Sequence, residues 1–192
     1  MWRIKMIIGL TGSKASGKGE VSKILKQKGF IYSSLSDRVR EEAKRRNLEN
    51  YTIKDLQDIG DELREKHGKG VLAEITIKNL YINSENKNFV IDGIRNTGEI
   101  KYFRGLENFT LIAIDSLQVL RYERMRKRNR HSDIKTWKDF LEMDKRDLRS
   151  NNKNGQEVGE CIKQSDYRIN NIGNLDELYS KLNKILEKLK IS

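Results

Sequence analysis

The sequence has no proline, a single cysteine and no long apolar run. Without proline, the helices must be ended by glycine, asparagine or aspartate, so glycines between apolar segments become informative. Cys161 has no second cysteine for an internal disulfide, so we expect an ordinary small side chain in a cytoplasmic protein. No segment approaches the roughly 20 apolar residues of a membrane span, and "MWRIKM" resembles neither a signal nor a transit peptide. We therefore expect no membrane partner.

Histidine is scarce as well. His67 and His131 have no partners at metal-ligand spacing, which argues against a histidine-based metal site. Basic residues are abundant, and 39 Lys and Arg against 28 Asp and Glu give the 192 residues a formal charge of +11. This excess favours anionic partners such as nucleotides, coenzymes or nucleic acid. Because no basic motif is interleaved with aromatic residues, nucleic acid is the less favoured partner. The length fits one domain.

Short apolar strands alternate with helical segments along the chain. The predicted strands are "MIIGL", "FIYS", "FVID", "FTLIAID" and "YRIN". The predicted helices cover residues 19–28, 37–47, 52–68, 71–82, 117–128 and 174–189, with Ser36, Thr52 and Asn174 at three of their starts. The charged stretch 129–154 receives no regular element. This alternation predicts an α/β fold with a five-stranded parallel sheet covered by helices on both faces. Ligands of such sheets bind at the carboxyl ends of the strands.

A phosphate-binding loop follows the first strand. It fits the pattern Gly-x-x-x-x-Gly-Lys and is formed by Gly12, Ser13, Lys14, Ala15, Ser16, Gly17 and Lys18. Small residues let the backbone curl so that its N–H groups point at a phosphate, and the following helix adds the positive end of its dipole. Lys18 would then neutralise charge on the β- and γ-phosphates. The pattern therefore predicts ATP binding by this loop, with Gly19 and Glu20 at the start of the helix.

The loop resembles those of P-loop kinases. Gly-Lys-Gly resembles nucleoside monophosphate kinases, "GLTG" resembles dephospho-coenzyme A kinases, and Lys14 resembles phage deoxynucleotide monophosphate kinases. "GKGE" is most similar to archaeal P-loop proteins described as adenylate-kinase-related. The resemblance implies a three-layer P-loop kinase fold that uses ATP and Mg²⁺, with a helical acceptor-binding region at about 34–84 and an arginine-rich lid at about 129–154. Gly19 stands where P-loops usually carry a metal-binding hydroxyl, and Glu20 either contributes to the loop or only favours the helix dipole.

A second motif ends the "FVID" strand. Asp92 there can orient a water on the Mg²⁺ that bridges the phosphates, and Arg95 can hold a phosphate with a bidentate fork. "DGIRN" resembles the Asp-Gly-x-x-Arg of adenylate kinases with the arginine one residue early, and it matches the archaeal group. The resemblance implies that Arg95 binds the acceptor phosphate. The alternatives are a strand-end turn residue for Asp92 and a surface arginine for Arg95.

The helix after the second strand carries Asp37, Arg38 and Arg40. By resemblance to monophosphate kinases, Arg38 or Arg40 would contact the acceptor. By resemblance to dephospho-coenzyme A kinases, Asp37 would be the base that takes the proton of a hydroxyl acceptor. Asp37 is equally typical of a first-turn residue that favours the helix dipole.

Arginines recur in the last third of the chain. Arg124 and Arg128 are four residues apart and share one helix face, like the paired arginines before the lid of nucleotide kinases. Arg146 resembles a residue on the distal side of a lid that reaches back to the transferring phosphoryl group. Asn171, in the loop after "YRIN", would lie near the adenine of ATP by resemblance to phage kinases. A solvated basic helix and a simple turn are the alternatives.

The leading hypothesis is an ATP- and Mg²⁺-dependent kinase that acts on a nucleoside or deoxynucleoside monophosphate. A dephospho-coenzyme A kinase is the second hypothesis. A nucleotide-dependent protein that binds nucleic acid, and a P-loop protein without catalytic activity, are hypotheses of other classes. The sequence leaves the preferred base, the sugar and the oligomeric state open.

Overall fold

A computed structural model of the chain describes residues 5–81, 87–128, 134–149 and 153–191. One five-stranded sheet lies at its centre, in the order β2-β3-β1-β4-β5, and every neighbouring pair of strands is parallel. The strands are β1 (Met6–Thr11), β2 (Ile31–Ser34), β3 (Asn88–Ile94), β4 (Phe109–Asp115) and β5 (Tyr167–Asn170). The predicted five-stranded parallel sheet is therefore confirmed.

The described helices are α1 (Lys18–Gln27), α2 (Leu35–Arg45), α3 (Ile53–His67), α4 (Val71–Tyr81), α5 (Thr97–Arg104), α6 (Gln118–Arg128), α7 (Trp137–Leu148), α8 (Val158–Lys163) and α9 (Leu175–Lys188). The predicted cap of α2 was wrong, because Ser34 is the cap and its hydroxyl accepts a hydrogen bond from the N–H of Ser36. Helices α5, α7 and α8 were not predicted. Each of the first two begins with a side-chain cap, from Asn96 and Thr136 respectively.

Alternate residues of β1 separate the core into two layers, since neighbouring strand residues point to opposite faces. Ile7 belongs to a buried cluster that includes side chains of α2, α3, α4 and α5, and Ile8 belongs to a second cluster that includes side chains of α1 and α9. Cys161 is buried in the first layer, where burial raises the pKa of its thiol. Within the described residues, no helix is both long and apolar enough to cross a bilayer.

A small third core joins α6 and α7 to the start of α3. Its buried members are Ile53, Met125, Phe140 and Met143. Beside it, Arg121 donates to both carboxylate oxygens of Asp144, at 2.5 and 2.8 Å, and both side chains are at most 3% exposed. This bidentate pair holds α7 against α6. Helix α7 lies within the segment that was predicted to form the lid. Residues 129–133 and 150–152 of the predicted lid lie outside the described residues.

We expect Arg121→Ala to lower the free energy of unfolding by about 3–5 kcal/mol, because the Asp144 carboxylate would remain buried without its counter-charge. Urea denaturation measures the change. Lys78→Ala is the control, since it breaks an exposed pair with Glu74 on α4 and should have a much smaller effect. Equal losses in the two variants would contradict the assigned role of the buried pair.

Candidate active site

Two glycines allow the loop between β1 and α1 to curl. Gly12 has a φ of +132°, and a Cβ there would lie 2.0 Å from the carbonyl oxygen of Ile114 on β4. Gly17 has a φ of +112°, and a Cβ there would lie 2.2 Å from Nδ2 of Asn171. Both positions therefore require glycine, for backbone conformation and for space. The predicted loop is thus held tightly between β4 and the residue that follows β5.

Lys18 lies at the base of the loop. Its ammonium donates to the carbonyl oxygens of Gly12 and Ser13, at 2.8 and 3.0 Å, and the residue is 8% exposed. Burial lowers the pKa of Lys18 to about 8, although the negative charge of Asp92 opposes this shift. The ammonium therefore lies inside the loop, next to the strand end that carries Asp92.

Asp92 is the predicted metal-organising residue, and it faces the same cleft as Lys18. Its Oδ1 is buried and accepts no hydrogen bond from any described residue. A buried carboxylate oxygen without a donor is costly and suits a water molecule on a metal ion. Within the described ranges, no three His, Cys, Asp or Glu side chains cluster as metal ligands. The residues thus fit a Mg²⁺ ion that nucleotide phosphates would chiefly hold and that Asp92 would contact through water.

A buried carboxylate on α7 connects the loop to Arg95, which was predicted to bind the acceptor. Asp147 accepts hydrogen bonds from Nζ of Lys14 at 2.5 Å and from Nε2 of Gln57 at 2.6 Å. Nη1 of Arg95 lies 3.6 Å from the oxygen that binds Lys14. Burial lowers the pKa of Lys14 to about 8, and Asp147 opposes that shift. Burial would raise the pKa of Asp147, but the charges of Lys14 and Arg95 outweigh it and keep the pKa below its ordinary value.

The other side of the loop is bound by Arg124 and Asn171. Both side chains donate to the carbonyl oxygen of Ser16, Asn171 at 2.8 Å and Arg124 at 3.5 Å. Arg124 also donates to the carbonyl oxygen of Asn171 at 3.0 Å. Arg124, Arg128 and Asn171 all face the cleft. The predicted donor-side residues are therefore brought together at one end of it.

The acceptor-side predictions separate into two groups. Asp37 and Arg40 face the cleft and are paired with each other at 2.8 Å. Arg38 is paired with Glu41 at 2.7 Å and is not among the residues that line the cleft. Glu20 is at the cleft edge and is paired with Lys23 at 2.9 Å.

Arg146 does not face the cleft. Its guanidinium is bound by Asp58 at 2.6 Å and by Asp61 at 3.2 Å, both on α3. Its neighbour Asp147 contacts the loop instead. Sequence reasoning assigned no role to Asp147, Gln57 or Arg64, which meet their partners across long stretches of chain. The periodic face of α3, with Ile53, Gln57, Gly60 and Arg64 at helical spacing, was the signal that could have identified this wall of the cleft.

One continuous cleft of about 1230 Å³ contains all of these cleft-facing groups. A single small-molecule ligand occupies about 300–1,000 Å³ of pocket, so the cleft has room for a donor and an acceptor together. The loop forms one end, and α2 and α3 form the other.

Comparison of the sequence with known proteins shows the family to which the chain belongs. A family model described as an AAA domain matches residues 8–152. A UPF0200 protein of Pyrococcus abyssi is 37% identical over 190 residues, covering 96% of this chain and 97% of the relative. The chain belongs to the UPF0200 family.

Solved structures of other proteins resemble this UPF0200 protein in fold. Shikimate kinase from Bacteroides thetaiotaomicron superposes with a TM-score of 0.59 at 14% identity, covering 96% of this chain and 98% of the kinase. A gluconokinase from Sinorhizobium meliloti superposes with a TM-score of 0.53 at 13% identity, covering 98% and 97%. At such identities the likeness concerns the fold alone. The predicted P-loop kinase fold is confirmed.

We expect Gly17→Ala to weaken ATP binding at least about tenfold, because its Cβ would displace Asn171 and with it the carbonyl of Ser16. Gly29→Ala is the matched control. Gly29 also has a positive φ, of +83°, but a Cβ there meets no atom within 4 Å and the residue lies outside the cleft. Both variants should lose stability, and only Gly17→Ala should lose ATP affinity in calorimetric titrations. Unchanged ATP affinity in Gly17→Ala would contradict the proposed loop function.

We also expect ATP affinity to fall as the pH rises above 8. The pKa values of Lys14 and Lys18 are about 8, and bound phosphates would favour their protonated forms. The complex then holds more protons than the free protein, so each lysine contributes a loss of up to about tenfold per pH unit above its pKa. Lys14→Met should reduce the slope of log Kd against pH. Affinity that stays constant up to pH 9.5 would refute this account.

Proposed function

We propose that the protein is an ATP- and Mg²⁺-dependent phosphotransferase whose acceptor is a nucleoside or deoxynucleoside monophosphate. The observation that carries the proposal is the approach of Lys14 and Arg95 to one oxygen of Asp147, at 2.5 and 3.6 Å. Lys14 belongs to the phosphate-binding loop, and Arg95 follows the strand that carries Asp92. A cation for the donor phosphates thus lies next to a cation for an acceptor phosphate, as phosphoryl transfer requires.

Each side chain has a chemical task in this proposal. The loop N–H groups and Lys18 hold the β- and γ-phosphates, and Mg²⁺, when bound with the nucleotide, neutralises further charge on them. Asp92 would orient a water molecule on that ion. Arg95 holds the acceptor phosphate and offsets its repulsion from the donor. No general base is needed, because the attacking phosphate oxygen is already ionised.

The lid arginines complete the proposal. Arg124 lies on the donor side beside Asn171 and would contact the adenine or the phosphates, and Arg128 faces the same part of the cleft. Arg146 would reach the transferring phosphoryl group only after leaving Asp58 and Asp61. We therefore consider Arg146 a weaker candidate than Arg124 or Arg128.

A hydroxyl acceptor is the second candidate, because Asp37 faces the cleft and could take the proton of a hydroxyl group. The dephospho-coenzyme A kinase hypothesis belongs to this class. The likeness in fold to kinases named for shikimate and gluconate supports it as well. Against it, Asp37 is already paired with Arg40, and its side chain is 46% exposed.

We expect ADP release to be stimulated by nucleoside or deoxynucleoside monophosphates and to be lost with Lys18→Ala. Arg95→Gln should raise the KM of the acceptor at least about tenfold and change ATP affinity much less, because Arg95 would bind the acceptor directly and would affect the donor site only through Asp147. A coupled ADP assay with ribo- and deoxyribonucleoside monophosphates and dephospho-coenzyme A measures both effects.

The same assay, with RNA and DNA added to the panel, separates the candidate functions. If only dephospho-coenzyme A is phosphorylated, and Asp37→Asn abolishes this activity, the acceptor is a hydroxyl group and the monophosphate proposal is wrong. ATP hydrolysis that no acceptor stimulates, but that RNA or DNA stimulates in a salt-sensitive manner, would favour a nucleic-acid-dependent ATPase.

A further inference from the structure

Arg64 on α3 has one guanidinium nitrogen that makes no hydrogen bond within the described part of the chain. The residue is 3% exposed, and its Nε and Nη2 both donate to Oε1 of Glu99, at 3.2 and 2.9 Å. Its Nη1 donates to no described residue, and the nearest carboxylate oxygen, Oδ1 of Asp61, lies 3.6 Å away. A buried donor without an acceptor is destabilising, so this N–H indicates a place for a ligand oxygen.

Gly60 lies one helical turn before Arg64 and leaves space beside this nitrogen. A glycine in the interior of a helix costs about 1 kcal/mol relative to alanine, so its presence calls for a reason. Backbone packing supplies only part of one, since outside α3 no backbone atom lies within 4 Å of a Cβ built at Gly60. That Cβ would lie 3.8 Å from Cγ2 of Val39 and 3.3 Å from Nη1 of Arg64, a tight contact that a small shift of the guanidinium would relieve. Gly60 and Arg64 both line the cleft, so the space forms a recess in its α3 wall.

The charges around the recess favour a neutral ligand group. Glu99 is fully buried and pairs with Arg64, so the positive charge of the guanidinium is already offset. Asp61 adds a second carboxylate at 3.6 Å. The recess therefore presents a directional N–H without an excess of positive charge. Phosphate would be better placed at Lys14, Lys18 and Arg95, towards the loop.

The walls beside the recess are largely apolar. Leu35, Val39, Tyr51, Leu56 and Leu72 line this end of the cleft. A flat, uncharged ring can bury its faces against such walls while a single polar atom on its edge meets the N–H.

We propose that the Gly60–Arg64 recess takes the carbonyl oxygen of an oxo-substituted nucleobase on the acceptor. This inference rests on the proposed function and specifies its acceptor as a monophosphate whose base has an oxo group at C4 of a pyrimidine or C6 of a purine, as in uracil, thymine, guanine or hypoxanthine. An amino group at the same place, as in adenine, would set N–H against N–H.

Two pairs of acceptors that differ by one oxo or amino group test the proposal. For the unmodified protein we expect kcat/KM to be at least about tenfold higher for inosine than for adenosine monophosphate, for uridine than for cytidine monophosphate, or for both. The dissociation constants of the same four compounds, measured by calorimetry, should follow the same order.

Gly60→Ala fills the recess with a methyl group and should reduce the oxo-over-amino ratio to near one. Its ATP affinity should be unchanged and its thermal midpoint close to that of the unmodified protein, because the helix propensity of alanine offsets the tight contact with Arg64. Glu65→Ala, on the exposed side of α3, is the control and should leave the ratio unchanged.

The outcomes separate the two proposals. A preference for the amino bases, or a ratio in Gly60→Ala equal to that of the unmodified protein, overturns the recess and leaves the kinase proposal standing. Absence of turnover with every monophosphate overturns the kinase proposal. In that case the binding measurements decide the recess, and equal affinities within both pairs would overturn it.

Discussion

The carboxylate of Asp147 holds together the loop, the end of β3, α3 and α7. It is fully buried, with the ammonium of Lys14 at 2.5 Å, the amide of Gln57 at 2.6 Å and the guanidinium of Arg95 at 3.6 Å. Ionised groups leave water only where opposite charges and hydrogen bonds compensate them, so each partner depends on the others. The relative positions of Lys14 and Arg95, on which the proposed chemistry rests, are therefore set by a helix that belongs to neither motif.

Local sequence patterns were sufficient to predict the strands and most of the helices that surround this site. The strands could be identified because each is a short apolar run with turn residues at its ends, and Thr52 and Asn174 start their helices as the pattern indicates. Ser36 was mistaken for a cap because Ser34, also in "SSLSD", has the same chemistry two residues earlier. Helix α5 was not predicted because it has only eight residues, although Asn96 and Glu99 form a capping box at its start.

The contacts of the site were harder to predict, because they join distant parts of the chain. The loop could be predicted because all of its residues are consecutive. Lys14 and Asp147 are 133 positions apart, and nothing near either residue in the sequence indicates the other. Successive residues of a helix point about 100° apart, so Arg146 and Asp147 face different neighbours. Sequence reasoning chose Arg146 by its charge, whereas packing turns it towards two carboxylates of α3 and turns Asp147 towards the loop.

The two ends of the cleft differ in their balance of positive and negative side chains. At the loop, Lys14, Lys18 and Arg95 share the carboxylates of Asp92 and Asp147, so cations outnumber anions. At the far end, among the described residues, Arg64 and Arg146 are shared by Glu99, Asp61 and Asp58, and Arg40 is balanced by Asp37, so carboxylates outnumber cations. A molecule with a phosphate at one end and a neutral ring at the other would enter with its phosphate towards the loop, since the reverse orientation brings phosphate next to carboxylates. The same asymmetry disfavours an acceptor that is anionic at both ends, and this restricts the choice of substrate before any base is recognised.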